Sequence, residues 1–173
     1  SPIHNDNRGY FREWFKGAEI ETAIGRRFDV QQANVSSSNR GVLRGIHYSI
    51  APRGQAKWIT CVSGSIKDVI VDIRPDSKSF GRWIEVELRG DSGEAVLISE
   101  GLGHGFLALE DNTAVAYLVS TPFSPTHEYE INPLDEKIAI NWGMDISQLK
   151  ISDKDKNAPS LLQRFGDRKL PID

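Results

Sequence analysis

Apolar residues along this chain recur at two spacings, and the spacing of two dominates. Trp83 to Leu88 reads WIEVEL, which puts Ile84, Val86 and Leu88 inward on one face and predicts a half-buried strand. Ser65 to Arg74 alternates in the same way, with Val69, Val71 and Ile73 on one face and Asp68, Asp72 and Arg74 on the other. Ser63-Gly64 suits a tight hairpin, because glycine reaches positive φ cheaply. It predicts that the strand entered at Gln55-Ala56-Lys57 and running to Val62 folds back as Ser65 to Arg74. Further strands are predicted over Tyr10 to Phe15, Phe28 to Val35, Ala95 to Ile98, His104 to Leu109 and Ala114 to Val119. Turns are expected at Asp6 to Gly9, Ser36 to Asn39, Asp91 to Gly93, Glu100 to Gly103 and Asp111-Asn112. Helical spacing occurs once early, where Ile20, Ala23 and Ile24 precede the stop residue Gly25 over Ala18 to Ile24. From Pro125 the chain reads as loop, and Ser160 to Phe165 predicts a last short helix capped by Ser160. About seven short strands broken by Gly, Ser and Asn argue for an all-β sandwich or barrel.

Composition narrows the class. The 173 residues suffice for one domain with a proper core, and the net charge of −3 comes with no basic stripe carrying interleaved aromatics. Nucleic acid is therefore not an expected partner. The one cysteine, Cys61, sits mid-strand close to Ile59 and Val62 and reads as a core residue, so neither a disulfide framework nor a CxxC metal site is expected. Apolar runs such as Val69 to Ile73 are far too short to span a bilayer, and Ser1-Pro2-Ile3-His4 has no signal-peptide character. Together these predict a cytoplasmic protein that contacts no membrane.

Candidate chemistry concentrates between Arg44 and Arg74, where a His, a Lys and two Asp lie along predicted strands on either side of a Pro/Gly loop at Ala51 to Gly54. The charged face of Asp68, Asp72 and Arg74 either meets solvent or lines a pocket, and the rarity of buried unpaired carboxylates favours solvent. His47 and His104 both stand near glycines, in Gly45-Ile46-His47 and Gly103-His104-Gly105, whereas His4 and His127 lack such a setting. One such histidine reads as an ordinary half-buried side chain; two at one barrel mouth favour a site. Position 49, two after His47, is Ser, and no His-x-His pair occurs in the chain, so metal catalysis is not expected.

Several stretches together resemble one family. They are Arg44-Gly45-Ile46-His47-Tyr48, Gln55-Ala56-Lys57, Asp68 to Arg74 and Gly101-Leu102-Gly103-His104-Gly105-Phe106. Asp6 to Glu13, Gln32 to Ser36, Asn132 to Asp135 and Ser152 to Asp155 extend the match in order and spacing over nearly the whole chain. The sequence is similar to the dTDP-4-dehydrorhamnose 3,5-epimerases. The resemblance implies a cupin-type jelly-roll barrel with a few short helices at its periphery. It forms a single domain over 1–173, with a barrel core over about 28–120 and a C-terminal loop and short helix over about 125–173.

The implied reaction is epimerisation of a dTDP-4-keto-6-deoxyhexose at C3 and C5. A proton is removed next to the C4 ketone and one is returned on the opposite face, without a cofactor. By the same resemblance His47 is the base, Asp155 orients and stabilises its ring, Lys57 stands near the ketone oxygen, and Tyr117 is the acid on the far face. Read without it, Lys57 is a solvated strand residue, Asp155 part of a charged turn and Tyr117 a core aromatic. Arg8, Phe11, Glu13, Gln32, Asn34 and Arg44 match positions that contact the nucleotide or its diphosphate, and Asp68 and His104 match polar residues of the sugar pocket. Some of these groups cross a dimer interface in the family, so a homodimer is implied. A second tyrosine common near the pocket mouth is replaced here by Phe123, in Ser120-Thr121-Pro122-Phe123. The family includes antibiotic-pathway enzymes that invert C3 alone, which keeps a 3-epimerase open beside the double epimerase. A cupin-type ketoisomerase and a silent nucleotide-sugar binding module are the remaining readings.

Overall fold

The strands of period two assemble into two facing sheets. In the computed structural model, residues 1–51 and 54–166 are described, so the loop expected at 51–54 lies partly outside the described residues, as does Pro171. An N-terminal hairpin of β1 (His4–Asp6) and β2 (Gly9–Phe11) precedes helix α1 (Gly17–Ile24). One sheet contains β3 (Gln32–Ser38), β10 (Thr113–Val119), β5 (Lys57–Ser63) and β8 (Val96–Ile98), paired in that order. The other contains β11 (Glu128–Glu130), β4 (Val42–Ser49), β9 (Leu102–Ala108), β6 (Ser65–Asp72) and β7 (Trp83–Arg89), with β12 (Lys150–Ile151) also pairing with β4. Helices α2 (Asp153–Lys156) and α3 (Leu161–Phe165) close the described chain. This is the all-β barrel with short peripheral helices that the sequence predicts. Among the described residues no helix is long and apolar enough to cross a membrane.

The core has three parts. Ile59, Cys61, Ile66, Ile70, Leu88, Ile98, Phe106 and Val115 fill one end of the space between the sheets. Leu43, Val69, Val71, Ile73, Phe80 and Trp142 pack the C-terminal segment onto the outer face of the larger sheet. Ile20 and Phe28 cover the outer face of the smaller sheet near Ala56 and Leu118. The larger sheet is thus buried on both faces, as sheets covered on both sides require.

Several expectations change. Ser63-Gly64 does turn the chain, but β5 and β6 do not pair: β5 joins β10 and β8, whereas β6 joins β7 and β9. Gly64 at φ 73° carries the chain from one sheet to the other where a Cβ would stand 2.4 Å from the Thr113 hydroxyl. The serines expected as a turn belong to β3, which pairs with β10 as far as Ser38, so the strand runs later than Phe28 to Val35. The early strand ends at Phe11 rather than Phe15. Ile84 is 62% exposed, because β7 is an edge strand and its Leu88 end is the one buried beneath the facing sheet. The tail past Pro125 is not merely loop: β11 and β12 extend the larger sheet on the far side of β4.

Candidate active site

Away from its apolar end, the space between the sheets is polar. Two glycines set the geometry on one wall. At Gly45 (φ 111°) a Cβ would lie 2.5 Å from the Gly105 Cα, and at Gly105 a Cβ would lie 2.8 Å from the Arg44 carbonyl oxygen. Only glycine lets β4 and β9 approach so closely. Past this crossing His47 and His104 stand directly opposite each other in register.

Each histidine is backed by an aspartate. His47 Nε2 is 2.7 Å from Asp155 Oδ1, and the other oxygen of Asp155 accepts the Gly45 N–H at 3.3 Å. Asp155 is held on α2, where its own N–H donates to the capping Ser152 hydroxyl at 3.1 Å. Burial pushes the Asp155 carboxyl up, but the hydrogen bond and charge of His47, with the Gly45 and Ser152 contacts, outweigh it and hold the group below its usual value. An ionised Asp155 accepts only, which assigns the proton of a neutral His47 to Nε2 and leaves the Nδ1 lone pair free to act as a base. His104 Nε2 lies 2.6 Å from Asp68 Oδ1, and Asp68 is fully buried with its second oxygen unpartnered among the described residues. The face of β6 that carries Asp68 therefore lines the barrel interior rather than solvent. Asp72, on the same strand, is tied to Arg74, Ser77 and Ser79.

The facing wall belongs to the smaller sheet. Lys57 on β5 is buried, and burial lowers its pKa while the charges of Glu128 and Asp68 oppose the loss of its proton. Burial raises the pKa of Tyr117 on β10, with Arg44 pulling it down and Glu128 pushing it up. Arg44 bridges the sheets, donating from Nε to Ser38 Oγ at 3.0 Å and from Nη2 to the Ser37 carbonyl at 3.2 Å. His47, Lys57 and Tyr117 line both an inner cavity of about 150 Å³, shared with Arg44 and His104, and an outer one of about 330 Å³, shared with Gln32 and Asn34. An imidazole on one sheet thus faces a phenol and an amine on the other. That arrangement can take a proton from one face of a substrate and return one to the opposite face.

The dTDP-4-dehydrorhamnose 3,5-epimerase family matches residues 1–163. This chain belongs to that family. A dTDP-4-dehydro-6-deoxyglucose 3-epimerase from a Streptomyces species is 47% identical over 166 residues, covering 95% of this chain and 84% of that protein. A dTDP-4-dehydrorhamnose 3,5-epimerase of Mycolicibacterium smegmatis is 45% identical over 169 residues, covering 98% and 83%. The crystal structure of ChmJ, a 3'-monoepimerase from Streptomyces bikiniensis, in complex with dTDP-quinovose matches with a TM-score of 0.89 and 45% identity, covering 95% and 84%. The chain is an isomerase of the epimerase type.

Within this family member the structure brings together His47, Asp155, Lys57, Tyr117, Gln32, Asn34, Arg44, His104 and Asp68. It does not bring Arg8, Phe11 or Glu13 into the cleft of the same chain. Arg8 is exposed and pairs with Asp6, Phe11 is 65% exposed, and Glu13 pairs with Lys16 at 2.7 Å. The hairpin that carries Arg8 and Phe11 lies near the Val62 end of β5, away from Lys57. Sequence reasoning missed Gln55, Glu128, Tyr129 and Lys154, all of which line the outer cavity. Glu128 matters most, because its buried Oε1 has no partner among the described residues and its charge acts on Lys57. The alternation of Glu128-Tyr129-Glu130 was the available signal, but three residues are too few to read as a strand. Phe123 lines the same cavity, and its N–H donates to Gln32 Oε1 at 2.9 Å.

Proposed function

We propose that this chain epimerises a dTDP-4-keto-6-deoxyhexose at C3 and C5. The observation that carries the reading is the His47–Asp155 pair on one sheet, facing Lys57 and Tyr117 across one cleft. In this reading His47 Nδ1 removes the proton next to the C4 ketone, and Asp155 stabilises the imidazolium that forms. The Lys57 ammonium stabilises the enolate oxygen, and Tyr117 delivers a proton from the far side. Burial suits both roles: a tyrosine with a raised pKa keeps its proton until the enolate carbon takes it, and a cation removed from water acts strongly on a developing charge. Arg44, Gln32 and Asn34 hold the nucleotide diphosphate, and His104 with Asp68 lines the sugar pocket. The site works in a homodimer, supported by the hairpin that carries Arg8 and Phe11 outward from its own cleft.

A 3-epimerase is the second reading. Phe123 favours it, since a phenyl ring at the cleft mouth supplies no second ionisable hydroxyl. Incubation with dTDP-4-keto-6-deoxyglucose in D₂O, followed by NMR, separates the readings. The expected result is solvent deuterium at both C3 and C5 of an inverted product. Label at C3 alone selects the 3-epimerase, and a folded protein that labels neither carbon points to the binding module.

A further inference from the structure

The cleft wall beside His47 is built from a weak element. β11 has three residues at the edge of its sheet, and its only ladder among the described residues joins Glu128, Tyr129 and Glu130 to Ser49, Tyr48 and His47. Yet Glu128 and Tyr129 line the outer cavity, and Glu130 holds Lys154, another lining residue, at 3.1 Å. Helix α3 braces this strand from behind. The helix is fixed by a capping box between Ser160 and Gln163, by the Leu161 N–H donating to Asp135 Oδ2 at 2.7 Å, and by Phe165 against Tyr48 and Phe80. From it Arg164 places its guanidinium carbon 4.9 Å from the centroid of the Tyr129 ring and donates to the Glu130 carbonyl at 3.4 Å. The Tyr129 ring also stacks on Tyr48, 5.8 Å away. Among the described residues Arg164 Nε is buried without a partner, a cost that a freely solvated arginine would avoid. The family match ends at residue 163, so this arginine lies just outside the matched segment.

We propose that Arg164 is a positioning residue that fixes the Tyr129 ring and, through β11, the shape of the cleft beside His47. It thereby sets affinity for the nucleotide sugar without touching it. The inference rests on the proposed epimerase reading. A cation over an aromatic face orients the ring, and the donor to Glu130 ties the same side chain to the strand backbone.

The test uses the full chain, dTDP titrations by calorimetry and steady-state kinetics on the keto sugar. Arg164→Met keeps the stem and removes the charge. It is expected to raise the Kd for dTDP and KM for the sugar about three- to tenfold, the range a lost cation–π contact supplies, with kcat within about twofold. Arg164→Lys is expected to recover most of that loss, and Arg164→Gln to reproduce it should the Met variant not fold. In a Tyr129→Leu background Arg164→Met is expected to add little, because both changes remove one contact. A lower Tm with unchanged Kd and KM would reduce Arg164 to a structural brace and overturn the inference alone. A wild-type protein that binds no dTDP and turns over no sugar would overturn the epimerase reading and this inference with it.

Discussion

In the proposed mechanism Lys57 trades stability for chemistry. It is buried at the start of β5, and burial lowers its pKa, so the folded protein carries a charge that water would hold more favourably. The lowered value fixes the sign of the pH dependence. The cost is full at pH values below the folded pKa, and it disappears as pH rises from there towards the unfolded value of 10.5. Lys57→Met is therefore expected to lower kcat by about 10²- to 10³-fold while leaving Tm at pH 7 equal to or above that of the wild type. Any Tm advantage should shrink in melting curves taken at pH values rising towards 10.5, as the wild-type lysine loses its proton below its unfolded value. A variant that melts well below the wild type at pH 7 would show that Glu128 and Asp68 need Lys57 more than Lys57 needs water. Asp155 has the opposite sign. Its pKa is lowered, so its contribution to stability is present above pH 3.8 and lost as pH falls through its folded value.

At the scale of elements, the geometry of the proposed site depends on short pieces. Asp155 reaches His47 because a four-residue helix is capped by Ser152, whose hydroxyl takes the N–H of Asp155 itself. Ser152→Ala should cost about 1 kcal/mol, which at this size lowers Tm by about 2–4 °C. It should also lower kcat several-fold with KM unchanged, because in the proposed mechanism the Asp155 carboxyl on this helix orients the base. Asp145→Ala removes the cap of the 3-10 turn Ile146–Gln148 and is expected to cost similar Tm while sparing kcat. Equal kcat in both variants would mean that the cap does not orient Asp155. The legibility of these elements in the sequence follows their length. Ala18 to Ile24 and the Ser160 cap could be read directly, because helix stops and caps are local signals. The strands from Lys57 to Asp72 were also legible, but their partners were not: Ser63-Gly64 fixes a change of direction, and tertiary packing decides which sheet the next strand joins. β11 and β12 escaped because two or three residues show no period, and Glu128 and Tyr129 were missed with them. His47 and Lys57 stand far from Tyr117 and Asp155 along the chain, and periodicity alone left Lys57, Tyr117 and Asp155 with bland readings. The family resemblance named them as a group.

Across the whole molecule the open question is what completes the cleft. Among the described residues Arg8 and Phe11 sit on a hairpin that pairs only with itself, exposed and near the Val62 end of β5, away from Lys57, and the sequence resemblance expects both to contact the nucleotide. An exposed arginine tied to its neighbour Asp6 contributes little to the stability of its own chain. The proposed homodimer resolves this if each hairpin serves the cleft of the other copy, and the arrangement makes a sharp prediction. His47→Ala should abolish the base, and Arg8→Ala should weaken binding, so each homodimer is poor on its own. When the two variants are unfolded together and refolded, half of the dimers are mixed. In each mixed dimer one cleft carries both defects and the other carries neither. Turnover at low substrate should then recover to about a quarter of the wild-type value. Light scattering should report twice the chain mass of 19.3 kDa for every sample. Recovery to no more than the average of the two separate variants, with dimers present, would place Arg8 in the cleft of its own chain after a rearrangement of the hairpin. A monomeric mass with full activity would remove the partner altogether, and Arg8→Ala would then be expected to leave KM unchanged.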